Sequence, residues 1–549
     1  MQRKEFLVAF VVLAMLGAPL SASDRKAEEP APAPGLERQA ENAPPPAPAP
    51  AAPPVAEAAP QLPPLSPELA ALLGATAARL PAGEQQDRAA LARFYEARRS
   101  DFLWVTGNGF TASAQAAIAE LGQADAWGLD AAAFAVKSPA PGASAAEQAE
   151  AEVALSLAIL KYARHARGGR TDPVSLSRYF DRKPALLPPE QVIEEAARSA
   201  DVDIYLRSLH PRHHEFHALR QKYLEARRAP PPPPAPIAQA PKDPKKKAAA
   251  PAAPPPSNAR RILVNMEQWR WMPEDLGDYY VWVNIPEFMI RVVSNGRVIH
   301  AERVIVGKPN TQTPIFSDEM EQVIFHPFWG VPNSIKKNEL LPSLARGNTG
   351  ILEKHHLRVS QRGRDVDPAS VDWAKADMRQ FHVYQPPGSA NVLGVVKFRF
   401  PNKHDVYMHD TPTKNLFNAA VRTFSHGCMR VRDPVRLAEL LLGEDKGWPA
   451  SRVAAAVGGT RQDVHVNLTR RFPVHITYFT ASVEDDGKLK LHGDIYGHEN
   501  RIGLGIDGKA HLIVREKEEG PVQAEAISAL SETKTGGGRP DWVRRAFGN

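Results

Sequence analysis

The chain has 549 residues, 43% of them apolar, enough for at least one sizeable core. At roughly 150 residues per domain the length allows about three or four domains. Lys and Arg (68) barely exceed Asp and Glu (62), and the resulting +6 lacks the concentrated basic face of a nucleic-acid binder. Of the 52 prolines, 13 lie in residues 30–64 and 12 in 230–256, so globular blocks joined by Pro-rich segments are expected, not a collagen-like or wholly disordered chain. Cys428 is the only cysteine, which excludes a disulfide within the chain.

Arg3 and Lys4 precede an apolar run from Phe6 to Leu20, and Ser21-Ala22-Ser23 follows with small residues. This order predicts a secretory signal over residues 1–23, cleaved or retained as an anchor, and export to the periplasm. The run is shorter than a membrane span, and no second long apolar run follows, so a soluble mature protein is expected. Residues 24–64 are Ala/Pro/Glu-rich and read as a disordered tether. From Ser66-Pro67-Glu68 the pattern turns helical. Leu69, Leu72 and Leu73, then Asp87–Arg99, Ser113–Leu121 and Glu147–Ala166, predict a mostly helical domain over 65–228, with Asp87 and Ser113 as N-caps. Gly168-Gly169 and Asp172-Pro173 break the helical run. Residues 229–259 form a Pro/Lys-rich linker.

After Arg260 the texture becomes β. Strands are predicted at Tyr279–Val283, Met289–Val293, Arg297–Ile305, Gln322–Phe325, Val395–Phe400, Asp405–His409, Val474–Thr480 and Lys488–Leu491. Asn295-Gly296 is the strongest hairpin signal. Only Pro434–Leu442 reads as a clear helix. The expectation is an antiparallel, β-rich domain over 260–509 and a loose tail over 510–549, giving an α+β fold class overall.

Two segments carry chemistry. Tyr407-Met408-His409-Asp410-Thr411-Pro412 ends a predicted strand, and Ser425-His426-Gly427-Cys428-Met429-Arg430 follows. A nucleophilic thiol needs a base and amide donors for an oxyanion. Gly427 permits a tight turn before Cys428, so the amides of His426, Gly427 and Cys428 can point at one spot. The bland alternative is a buried free thiol in a β core. These segments resemble the H-x(16 or so)-[ST]-x-G-C signature of the L,D-transpeptidase (YkuD-type) catalytic domain. VGKPNTQTP (306–314), FWGVPNSI (328–335), ELLP (339–342), VDWAKA (371–376), PPGSANVLGVVKF (386–398) and DIYGHENR (494–501) resemble the large multidomain periplasmic members. LARFYEARRSDFLWV (91–105), ELGQADAWGLD (120–130) and LAILKYARHARGGRTDP (157–173) resemble their N-terminal scaffold domain.

The resemblance implies a YkuD-like catalytic domain with a capping insertion at about 336–390, read as a mobile lid. It implies Cys428 as nucleophile, His409 as general base and acid, the Asp410 backbone orienting His409, and the His426 and Gly427 amides as oxyanion donors. Arg430, Tyr407, Trp329 and Ser425 would contact substrate, with a structural ion pair for Arg430 and core packing for Tyr407 and Trp329 as alternatives. The implied reaction needs no metal or organic cofactor. Cys428 attacks the third residue of a donor tetrapeptide stem of peptidoglycan, D-Ala leaves, and an amine of an acceptor stem resolves the thioester into a 3→3 cross-link. Other cell-wall enzymes are further candidate partners. Alternatives are an L,D-carboxypeptidase or amidase using the same Cys and His, and a non-catalytic wall scaffold. The sequence departs from the larger members in having the linker 229–259 where they carry a peptidoglycan-binding-like domain.

Three further patterns are read as structural. Ser334-Ile335-Lys336-Lys337, Ser389-Ala390-Asn391 and Lys534-Thr535-Gly536 mimic the triplet of serine penicillin-binding proteins, but Ser334 follows a strand-like stretch and Lys534 sits in the Gly-rich tail. Gly503-Leu504-Gly505-Ile506-Asp507-Gly508 matches G-x-G-x-x-G without a following helix, and a hairpin turn is expected. His210, His213, His214 and His217 recur at helical spacing; a solvated helix face is expected there, not a metal site.

Overall fold

The computed structural model describes residues 65–74, 80–98, 102–228 and 258–514, all within one compact unit. The predicted signal and tether, nearly all of the Pro/Lys linker, residues 515–549 and the Lys534-Thr535-Gly536 element lie outside the described residues. Among the described residues no helix is long and apolar enough to cross a membrane.

The N-terminal part is helical because its caps and apolar spacing agree. Ser66 Oγ accepts from Leu69 N at 3.2 Å and opens Pro67–Gly74. Thr111 caps Ala112–Gly122, and Ser144 with Glu147 forms a reciprocal capping box on Ala145–Gly168. Two predicted caps are corrected. The helix containing Asp87 begins at Ala82, so Asp87 is interior; its carboxylate is buried on Arg164 at 2.7 Å. Ser113 falls one residue inside its helix. The helices enclose Leu91, Tyr95, Trp104, Ile159 and Ile193. Within this core, the buried carboxylate of Glu152 accepts from the amides of Leu103 (2.6 Å), Trp104 (2.8 Å) and Val105 (3.1 Å), tying the 103–105 turn to the long helix.

The second part closes a sheet. Its strands are β1 (Tyr279–Asn284), β2 (Met289–Ser294), β3 (Arg297–Gly307), β4 (Phe316–Phe325), β5 (Val396–Arg399), β6 (Met408–His409), β7 (Thr423–Ser425), β8 (Met429–Val431) and β9 (Val464–Thr477). The order β7-β3-β8-β6-β5-β4-β9-β1-β2 is closed by β2–β3 pairing, so eight strands form a barrel-like ring with β7 appended. Asn295 (φ 47°) and Gly296 (φ 73°) make the two-residue hairpin between β2 and β3. The expectation of an antiparallel sheet is corrected: β6–β8, β9–β1 and β7–β3 are parallel. Pro434–Lys446 is present as predicted, but Asn258–Trp269, Ala450–Gly458 and His498–Ile506 are also helical.

That last helix replaces the hairpin expected at Gly503–Gly508. A Cβ on Gly505 would stand 2.8 Å from Leu176 Cδ2, and one on Gly503 2.9 Å from Arg260 Nη2. These glycines serve close packing of the helix, not a phosphate turn. Between Trp329 and Gln385 a separate four-stranded sheet (Trp329–Gly330, His382–Gln385, Arg358–Gln361, Arg364–Asp365) surrounds its own core of Leu340, Leu344, Val359, Trp373 and Val383. This capping module occupies the region read as an insertion, about 336–390, and also takes in Trp329–Gly330 ahead of it. Ser334 follows the short strand Trp329–Gly330, in line with the strand-like stretch read before it, but is itself helical, in Asn333–Ile335, which continues through a π-turn at Lys336–Leu340.

Part of the helical region packs into the barrel's core, where Trp127, Phe180, Phe216 and Leu219 join Val281, Phe316 and Ile476. Phe180 forms a parallel bridge with Ile315. Arg182, buried, donates to Ile476 O at 2.8 Å, and Asp181 pairs with Lys403 at 2.7 Å. The histidine cluster belongs to this packing. His210 is buried, stacked on Trp127 at 4.1 Å and bonded to Tyr162 Oη at 2.9 Å, while His213 Nε2 donates to Pro273 O at 2.9 Å. The solvated face is therefore confined to His214 and His217.

Candidate active site

β6 and β8 are short parallel neighbours with Met408 opposite Met429 and His409 opposite Arg430. The Met429 amide donates to Tyr407 O at 3.0 Å. The two segments separated in sequence thus meet at shared strand ends, with Tyr407 and His409 on one strand end and Cys428 and Arg430 on the other. β5 adds Lys397 directly opposite His409.

The turn before Cys428 is held from inside. Ser425 Oγ donates to Cys428 O at 2.6 Å and accepts from Gly427 N at 3.2 Å. Thr313 Oγ1 donates to Gly427 O at 2.8 Å. Gly427 sits at φ 117°, a conformation that favours glycine. Ser425, expected at the substrate, is instead buried and occupied within the turn. The Gly427 amide, expected to face an oxyanion, is bonded to Ser425. The His426 imidazole reaches the capping module, with Nε2 2.7 Å from Glu339 Oε1.

The thiol is half-buried. It points at Asp405 O, 4.0 Å away, a carbonyl presented by a left-handed residue (φ 53°). Burial pushes the Cys428 thiol above its ordinary value, while hydrogen bonds from the Tyr407 backbone and hydroxyl and the charges of Lys397 and Arg430 pull it down without cancelling burial. The resting group is therefore a thiol at neutral pH.

His409 is buried, and burial, reinforced by Arg430, lowers it to about 3 against the opposing bond to Asp410 O. It is neutral at working pH. Its Nδ1 lies 2.5 Å from Asp410 O. A carbonyl only accepts, so Nδ1 carries the proton and Nε2 presents a lone pair. Asp410 is pinned by its own carboxylate, which accepts from Val395 N (2.9 Å) and Thr411 N (2.7 Å) and pairs with Lys414 (2.6 Å). A Cβ at Gly394 (φ 59°) would meet Asp410 Oδ2 at 2.2 Å, so glycine is required there. Among the described residues no hydrogen bond joins His409 to Cys428; in an unliganded site such a contact commonly tightens only with substrate.

Arg430 donates to Thr413 Oγ1 at 3.2 Å, and among the described residues it has no carboxylate partner, with its Nε buried and unbonded. The structural ion pair held open for it is absent there. Tyr407 lies under Lys397 Nζ at 4.0 Å from the ring centroid, and its hydroxyl also meets the Trp329 side chain of the capping module. Tyr407 and Trp329 are therefore tied to the thiol's surroundings rather than to a separate cleft.

Two family models match the chain: a Scaffold domain over residues 89–222 and an L,D-transpeptidase catalytic domain (YkuD) over 278–475. The chain carries a YkuD-type L,D-transpeptidase catalytic domain behind a Scaffold domain. It is 31% identical over 249 residues to a Haemophilus influenzae protein named "Putative L,D-transpeptidase", covering 45% of this chain and 49% of that relative. The chain thus spans about half the length of the curated relative it matches. Solved structures of the Ldtfm–avibactam carbamoyl enzyme and of an L,D-transpeptidase from Mycobacterium smegmatis each align at 13% identity over 36% of this chain, covering 49% and 58% of theirs, at a TM-score of 0.17, too low to carry an argument.

Sequence reasoning overlooked three groups in this L,D-transpeptidase domain. Lys397 sits between inward-facing Val396 and Phe398, so alternation places it on the other face, but a lone strand lysine ordinarily meets solvent. Asp405 and Glu339 carried no local signal, since their approach to Cys428 and His426 is made by chain crossings.

Proposed function

We propose that this chain is a peptidoglycan L,D-transpeptidase acting through Cys428 in an exported compartment, with donor tetrapeptide stems and acceptor amines as its substrates. The observation that carries the reading is the convergence, at the ends of β6 and β8, of a thiol, a neutral imidazole with Nε2 unprotonated, and a guanidinium with no carboxylate partner among the described residues. In the proposed reaction Cys428 Sγ bonds to the carbonyl carbon of the third stem residue while its proton passes to His409 Nε2. The carbon–nitrogen bond to D-Ala breaks, and the departing amine takes that proton. The amine of an acceptor stem then forms the new amide, the carbon–sulfur bond breaks, and the amine proton returns to sulfur through His409. Amides of His426 and Cys428 receive the oxyanion, and Arg430 meets a stem carboxylate. Lys397 and Tyr407 favour the thiolate as it forms.

The test is incubation of wild-type and Cys428→Ala protein with purified disaccharide-tetrapeptide, read by liquid chromatography–mass spectrometry. Release of D-Ala with a tripeptide–tetrapeptide dimer, absent in the variant, is expected. Tripeptide monomer alone would assign hydrolysis to the same site. Equal products from both proteins would refute the role of Cys428.

A further inference from the structure

Against His426 and Gly427, the two residues that precede the nucleophile, lies a cavity of about 190 Å³ walled by three parts of the chain. Arg178 and Tyr179 come from the helical part, Asn338 and Glu339 from the capping module, and Gln312 and Gly427 from the barrel. The helical wall is held in place by backbone bonds. Ile315 N donates to Tyr179 O at 2.8 Å and Asp181 N to Ile315 O at 2.9 Å, so this segment runs along the barrel as an added strand.

The polar groups of this cavity are unevenly satisfied. Glu339 Oε1 is engaged by His426 at 2.7 Å, but Glu339 Oε2 is buried with no hydrogen-bond donor among the described residues. Gln312 is 8% exposed; its amide nitrogen donates to Pro309 O at 3.0 Å, while its buried Oε1 likewise has no donor. A buried acceptor left without a donor is destabilising. Two acceptors of this kind in one cavity, one of them a carboxylate, ask for a cation with several N–H groups. The Arg178 guanidinium on the facing wall suits a carboxylate beside that cation.

We propose that this cavity binds the amine end of the acyl acceptor as an α-amino acid zwitterion, its ammonium on Glu339 and Gln312 and its carboxylate toward Arg178. The assignment rests on the transpeptidase reading above and deepens it, since the acceptor is held against the residue that precedes the nucleophile. It also makes the Scaffold domain part of the acceptor site.

The experiment is calorimetric titration of full-length Cys428→Ala protein with free meso-diaminopimelate as the probe, and with its form acetylated on both amines. Acetylation of both amines removes the cations and should weaken binding at least about tenfold, and Glu339→Gln should do the same, because a hydrogen bond to a charged group is lost. Gln312→Met, which keeps the volume, provides a second variant if Glu339→Gln does not fold. In the Cys428 wild-type background, Glu339→Gln should lower the ratio of dimer to released D-Ala at least about tenfold, with the tripeptide monomer's share increased. No measurable binding of the probe, equal affinity for the acetylated probe, or unchanged affinity in both variants would overturn the proposal. Failure of D-Ala release in the wild type would count against the transpeptidase reading instead, and the binding data would still decide the cavity.

Discussion

Glu267 provides a direct test of how the two halves of the molecule are joined. It is fully buried, and its Oε1 accepts from Arg170 N at 2.5 Å and Thr171 N at 3.2 Å, which fixes the loop leaving the long scaffold helix. Its Oε2 faces Arg270 Nη1 at 3.8 Å, and Arg270 is itself buried and bonded to Trp127 O at 2.7 Å. Burial raises the Glu267 carboxyl, and Arg270 and Arg170 oppose that rise. Replacing Glu267 by Leu leaves a buried guanidinium without its counter-charge, a loss of about 3–5 kcal/mol. It also strips two amides of their acceptor, at about 1–3 kcal/mol each where they stay dry. A total near 5 kcal/mol is expected after partial relaxation, on the order of the lower bound of domain stability. Urea unfolding followed by tryptophan fluorescence, with hydrogen exchange read at residues 168–182, measures it. Glu267→Gln keeps an acceptor for the amides and should lose less. The double variant Glu267→Leu/Arg270→Leu removes both charges and should lose less than the sum of the single variants. A loss below about 1 kcal/mol for Glu267→Leu, or strict additivity in the double variant, would refute the argument that a buried charge pair holds this joint.

Two further predictions concern pH. Because burial raises the Cys428 thiol from its ordinary value of 9.0, its alkylation by iodoacetamide should accelerate steadily with pH through the neutral range and show no plateau below pH 9; a plateau near pH 6–7 would mean a preformed thiolate. Burial also depresses His498 and His409 to about 3 and His475 to about 4, from 6.5. The unfolded chain therefore binds more protons than the folded one once pH drops below about 6.5, and stability is lost from there down to about 3–4. At pH 5.0 each of these histidines should remove about 2 kcal/mol, at about 1.36 kcal/mol per pH unit below 6.5. The imidazole resonances of these rings in the folded protein should accordingly show no titration between pH 7.5 and 5.0, and a midpoint inside that range would contradict their neutral burial.

Local chemistry determined much of this protein from the sequence alone. The Ser66 cap, the Asn295-Gly296 hairpin and the Pro434 helix start depend on neighbours a few residues away, and all three stand in the structure. The pairing of His409 with Asp410 O is equally local, since it joins adjacent residues. Asp87 was misjudged because an acid ahead of an apolar run has the appearance of a cap, whereas a distant arginine, Arg164, buries it within a helix. Gly503 and Gly505 read as part of a hairpin turn because nothing in their own segment shows that Leu176 and Arg260 press against them. The parallel strand pairs, the engagement of Ser425 inside its turn, and the approach of Lys397, Asp405 and Glu339 to the Cys428 turn depend on contacts between segments far apart in the chain. Residue type and spacing determined which groups can do chemistry here; closure of the barrel and docking of the scaffold and capping parts decided which of them meet.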